Sequence, residues 1–152
     1  SNYLKSKGFE VITLDIDPGK EPDILANVVE DELTEEFDYV LAFEIFEHIP
    51  FADFEKVLNK IHPICRKGLL MSLPRNEKQW FKLSVELPGR NTYGFRIATL
   101  RKKIITRTHH WELDYAPYNR KMIEQTLRDH GYSVELFKIA SPLYFYSLIP
   151  TD

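Results

Sequence analysis

Residues 37–43, FDYVLAF, set the tightest limit on the fold. Near-continuous hydrophobicity over seven residues suits a strand covered on both faces, as in the sheets of α/β proteins. The next thirty residues sharpen that expectation. Residues 52–62 place Phe54, Val57, Leu58 and Ile61 at i, i+3, i+4 and i+7, which predicts an amphipathic helix. Pro63 and Gly68 end it, and residues 68–73 (GLLMSL) read as the next strand, closed by Pro74.

The same alternation runs along most of the chain. Residues 10–16 (EVITLDI) read as a strand that breaks at Pro18-Gly19, and residues 23–29 (DILANVV) are a second short apolar run. Residues 1–7 look like the tail of a helix, with Gly8 where a left-handed residue closes it. Residues 119–130 predict a helix capped by Asn119, with Met122, Ile123 and Leu127 as its buried stripe and Gly131 after it. Residues 133–139 and 143–149 are strands joined by Ala140-Ser141-Pro142, short enough for an antiparallel pair. The expectation is a three-layer α/β sandwich with a mostly parallel sheet and a C-terminal antiparallel hairpin. Residues 75–118 break the rhythm. They are long, basic and aromatic (Trp80, Phe81, Tyr93, Phe95, Trp111, Tyr115, Tyr118), as insertions, lids and substrate walls are.

A chain of 152 residues fits one domain, and 43% apolar residues can fill its core. A single cysteine, Cys65, excludes an intrachain disulfide and a cysteine zinc cage. No apolar run reaches the length of a membrane span and no leader opens the chain, so a cytoplasmic setting is expected. The net charge of −3 hides an asymmetry: residues 1–62 carry 5 basic and 15 acidic side chains, residues 63–121 carry 13 and 4. The acidic third argues against a globally basic nucleic-acid binder. The middle segment could meet an anionic partner, or two opposite faces complement each other across one fold.

Four groups of residues could carry chemistry. Asp15 ends the first predicted strand, at the edge where open α/β sheets bind ligands, and its carboxylate can accept two hydrogen bonds from a ribose diol. It could equally be a turn aspartate before Pro18. Glu44, Glu47 and His48 share one face if residues 44–48 make a helical turn. There they could accept a proton, anchor a substrate or hold a divalent ion, or they are a solvated turn. His109 and His110 would point to opposite faces of a strand, so one of them could join His48, or both are surface residues beside Trp111. Cys65 lies beside Arg66 and Lys67, but between a helix and a buried strand, where packing is its expected role. No phosphate-binding loop, nucleophile elbow or G-x-G is present.

The ordered series VITLDIDP, DILANVVEDEL, FDYVLAFEIFEHIP, an amphipathic helix, KGLLMSLP and GYSVELF resembles the class I S-adenosylmethionine-dependent methyltransferases, in particular the small-molecule group with an E-x-x-E-H-I/L-P segment. The resemblance covers about 110 residues. It implies a Rossmann-like sandwich and S-adenosylmethionine as cofactor. It implies that Asp15 grips the cofactor ribose and Ile16 lies against the adenine, with Asn27 and Val28 at the adenine edge. Phe43 and Glu44 would border the methionine part, and His48 would lie close to the transferred methyl as the catalytic residue. In some relatives the equivalents of Glu44, Glu47 and His48 bind a divalent metal, and no metal is assigned to this chain.

The family's glycine-rich turn, on its first strand, has no counterpart here. The resemblance implies a chain lacking that strand, which in the family lies between the equivalents of residues 10–16 and 37–43. An open sheet there would favour a homo-oligomer. The expected function is therefore methyl transfer to a small-molecule acceptor. The alternatives are a non-catalytic binding or assembly module of the same fold, or an RNA methyltransferase using the basic 75–107 stretch, with Arg96, Arg101, Lys102, Lys103 and Arg107.

Overall fold

The computed structural model describes residues 1–87, 91–104, 106–140 and 143–151. Helix α1 (Asn2–Ser6) is followed by Gly8 at φ +86°, the conformation a closing glycine supplies. Strand β1 (Leu14–Asp15) pairs in parallel with β2 (Ile24–Leu25), a ladder of two residues. Strand β3 (Phe37–Phe43) spans the FDYVLAF run and leads into a 3₁₀ turn at Phe46–His48. Helix α2 (Phe51–Ile61) buries Phe54, Val57, Leu58 and Ile61, the predicted stripe. Strand β4 is Cys65–Pro74, and β5 (Glu77–Leu87) and β6 (Asn91–Leu100) form an antiparallel hairpin of their own. Helix α3 (Arg120–Asp129) starts where Asn119 Oδ1 accepts from the Met122 amide at 3.0 Å. Its buried residues are Ile123, Thr126 and Leu127, with Met122 only half-buried. Strands β7 (Tyr132–Ala140) and β8 (Leu143–Pro150) complete the chain, and the Ser141-Pro142 link between them lies outside the described residues.

The main sheet runs β3-β4-β8-β7. Only β3–β4 is parallel, and both pairings of β8 are antiparallel. The sheet is therefore mixed, not mostly parallel as expected. The cause is the C-terminal hairpin, which inserts β8 beside β4 and so contributes two of the three ladders, while the other parallel pair, β1–β2, forms a separate sheet.

One face of this sheet carries the core. Register partners Ala42, Met71 and Tyr146 lie in one row, Leu73 and Tyr144 in the next, Leu69 and Leu148 on the other side. α2 and α3 both pack into that single cluster with Trp111 and Leu113. A second helical layer is not formed among the described residues. On the opposite face Tyr39 and Leu41 of β3 stay 54% and 44% exposed. β3 pairs with β4 on one edge and with no described strand on the other.

Candidate functional site

The carboxyl end of β3 is where the polar residues gather. The strand breaks at Glu44, whose φ of +53° turns the chain away while its amide stays on β4, donating to the Ser72 carbonyl at 3.3 Å and hydroxyl at 3.1 Å. The helical turn begins only at Phe46. Glu44 therefore does not share a face with Glu47 and His48 as the i, i+3, i+4 spacing predicts. Glu44 is exposed, and Glu47 is 1% exposed. Phe46 fills the core beside Phe54 at 4.9 Å, and this anchors the turn.

A second segment closes over the turn from sixty residues away. The His110 amide donates to the Glu47 carbonyl at 2.8 Å, and the buried Trp111 indole donates to the Ile49 carbonyl at 3.1 Å. Leu113 continues the attachment by donating to Pro74 O and accepting from the Asn76 amide. These bonds carry His109 to His48, with ring centroids 4.8 Å apart. The segment is irregular, not a strand, and of the two histidines it is His109 that lies beside His48.

Each ring has one nitrogen engaged. His48 Nδ1 lies 3.2 Å from the Thr108 carbonyl, and His109 Nδ1 lies 2.8 Å from Oε1 of the buried Glu112. With Nδ1–H donating in both, Nε2 keeps its lone pair. Both Glu47 carboxylate oxygens are buried without a hydrogen-bond partner. Burial pushes the Glu47 carboxyl up to about 7; its own backbone amide and His109 pull the other way, while Glu44 and Glu112 add to the rise.

Asp15 ends β1 as expected. Its carboxylate accepts from the Asp17 amide at 2.9 Å and from Lys20 Nζ at 2.8 Å. The Lys20 hydrogen bond, then the Asp17 amide, hold its carboxyl below the usual range. A carboxylate has about four acceptor positions, so two remain for a diol. Ile16 beside it is 64% exposed. Asn27 serves its own turn: Oδ1 accepts from the Val29 amide at 3.0 Å. Val28 packs against the core, and Phe43 is 47% exposed with an edge contact to Phe145. Asp15 lines a cavity of about 590 Å³ with Thr13, Lys20 and Asp23, and neither Asn27, Phe43, Glu44 nor His48 borders it.

Sequence reasoning missed a second polar cluster at the end of β4. Arg75 bonds Asp114 at 2.8 Å and Glu77 at 2.9 Å, and the Tyr144 hydroxyl donates to the same Asp114 oxygen at 2.9 Å. Asn76 is fully buried there with both side-chain polar atoms unpartnered. Cys65 is buried, and burial pushes its thiol up, consistent with packing.

No protein-family model matches the sequence, and no curated protein matches it. Solved structures do. Superposed on the glycopeptide N-methyltransferase MtfA, 97% of this chain matches 81% of that chain with a TM-score of 0.64 at 14% identity. This chain has a class I S-adenosylmethionine-dependent methyltransferase-like fold. The 1,6-didemethyltoxoflavin-N1-methyltransferase of Burkholderia thailandensis, solved with 1,6-didemethyltoxoflavin and S-adenosylhomocysteine, gives a TM-score of 0.62 at 12% identity. It matches 99% of this chain, which spans 65% of that enzyme's length. The PH0226 protein of Pyrococcus horikoshii OT3 gives 0.60 at 13% identity, over 98% of this chain and 76% of that one. Among the described residues no helix is long and apolar enough to cross a membrane.

Proposed function

We propose that the chain is an S-adenosylmethionine-dependent methyltransferase acting on a small-molecule acceptor. One observation carries the reading: the fold likeness to solved methyltransferases coincides with a gathering of acidic and imidazole side chains at the carboxyl end of β3. The cofactor, when bound, supplies an electrophilic methyl group on a sulfonium. The donor chemistry suits it. Asp15 accepts the ribose hydroxyls on its two free acceptor positions. The exposed apolar side chains of Ile16 and Phe43 offer surface to the adenine and methionine parts, Asn27 and Val28 border the adenine edge, and Glu44 takes the cationic amino end.

His48 takes the acceptor's proton on Nε2, its Nδ1–H held by the Thr108 carbonyl. The chain's remaining task is alignment of acceptor and methyl, which can lower a barrier by ~7–11 kcal/mol at best. The β5–β6 hairpin, with Trp80, Phe81 and Phe95 exposed, is the acceptor wall of this reading.

A basic cavity of about 500 Å³ lined by Lys78, Arg101, Lys102 and Lys103 favours a second reading, an RNA acceptor. The Arg96 side chain lies outside the described residues. Transfer of a radiolabelled methyl group to candidate acceptors tests the first reading. Transfer to small apolar acceptors supports it. Transfer to RNA alone, with affinity that falls steeply with salt, replaces it with the second. No transfer to any acceptor, with no binding of S-adenosylhomocysteine, overturns both.

A further inference from the structure

We propose that the cavity at the base of the β5–β6 hairpin binds a small molecule by a phosphate or carboxylate group, and that the methyl acceptor is anionic. That the anion belongs to the acceptor rests on the methyltransferase reading. Lys78, from the start of β5, and Arg101, Lys102 and Lys103, directly after β6, line about 500 Å³. Four positive charges from two segments converge on one concavity.

These cations lack the partners that others in the chain have. Among the described residues none of the four pairs with a carboxylate, whereas Lys20, Lys56, Arg66, Lys67, Arg75 and Arg120 do. Glu77, next to Lys78, is buried and bonds Arg75 at 2.9 Å. Like charges held together repel, and a bound anion relieves the repulsion. The wall is also fixed in place. The Arg101 amide donates to the Asn76 carbonyl at 3.1 Å, and the Asn76 amide donates to the Leu113 carbonyl at 2.9 Å. Arg101 is half-buried there, and its guanidinium fork matches two oxygens of a phosphate or carboxylate. Asn76 itself is fully buried with both side-chain polar atoms unpartnered, a state native folds rarely keep.

The shape favours a compact anion over a nucleic-acid strand. A strand is held by cations spaced along a groove, with bases stacked on aromatic groups. Here the cations close on one cavity, within the roughly 300–1,000 Å³ of small-molecule sites. The 15 acidic side chains of residues 1–62, against 5 basic, repel a long polyanion more than a short ligand. Lys78 Nζ lies 3.8 Å from the ring centroid of Trp80, an exposed indole whose Nε1 donates to the Thr99 hydroxyl at 2.9 Å. A held aromatic face beside the charge suits a ligand with a planar body and one anionic end. The cavity follows the carboxyl end of β4, and the parallel neighbour β3 leads into the His48 turn, so both features belong to the same sheet edge.

Anion binding is read without the methyl donor, so it and the methyl-transfer reading can fail separately. The full chain is titrated calorimetrically with phenyl phosphate, with benzoate and with a uridine decanucleotide. One phenyl phosphate or one benzoate per chain is expected, and the tighter of the two names the group. Arg101→Ala and Lys103→Ala are expected to weaken binding at least tenfold each, Arg101→Lys less. Arg107→Ala, an exposed basic residue outside the cavity wall, leaves it unchanged. In ¹⁵N spectra the bound anion should shift the indole of Trp80 and leave that of the buried Trp111 in place. No stoichiometric binding of either small anion, equal affinity in the Arg101→Ala/Lys103→Ala double variant, or binding of the oligonucleotide alone overturns the inference.

Discussion

Glu47 is a carboxyl group that folding treats badly. Burial pushes its carboxyl up to about 7 in the folded protein, against an ordinary 4.5. Between those values the folded state keeps a proton that the unfolded chain has lost. Its contribution to stability is therefore greatest at low pH and falls as the pH climbs to 7, by up to roughly 3 kcal/mol. Glu47→Gln should remove that slope, so variant and parent melt alike at pH 4 and the variant melts higher at pH 8. Differential scanning calorimetry at both values checks this, and equal melting at pH 8 would refute it. Asp15 is the opposite case, a carboxylate held ionised by Lys20 and the Asp17 amide. That Asp15 ends a strand was legible, because acid followed by Pro-Gly is a stop signal. That Lys20 would reach it was not, since a five-residue loop allows many lysine rotamers.

Among the elements, packing periodicity carried the most information. β3 has the span expected, α2 differs by one residue at each end, and α3 begins at its Asn119 cap. Asn119→Ala should cost about 1 kcal/mol in chemical denaturation. Gly131→Ala should cost more. Its φ of +80° is strained for alanine, and the added Cβ would stand 2.5 Å from His62 Nε2, which now bonds the Gly131 and Thr151 carbonyls. The β5–β6 hairpin was less legible. Its alternation is present in EKQWFKLSVEL, but both faces carry large apolar groups left exposed, so no core periodicity marks it, and a shift of register at Gln79/Phe81 interrupts the pattern. Tyr93 belongs to it, with its side chain outside the described residues. β1 shrank from seven expected residues to two because its partner β2 supplies only Ile24 and Leu25. At the site, spacing predicted one face for Glu44, Glu47 and His48, but a local rule cannot foresee a left-handed residue at Glu44. Nor can it foresee that a backbone bond from His110 brings His109 across sixty residues.

Over the full chain the parallel strands fall into two separate sheets, and β3 keeps an edge that no described strand covers, beside exposed Tyr39, Leu41 and Phe43. Such an edge is a template for another strand. Concentration-dependent association in light scattering is the expected behaviour, reduced by Leu41→Lys; a monomer at all concentrations would exclude it. The acidic first third and basic middle segment should make that association weaken in salt. The methyl-transfer reading stands or falls on whether the carboxyl ends of β1 and β3 hold an adenosyl cofactor. Calorimetric titration of the protein with S-adenosylhomocysteine decides it. One site per chain is expected, with at least tenfold weaker binding in Asp15→Asn; no binding to the unmodified chain, or equal affinity in the variant, would refute the reading.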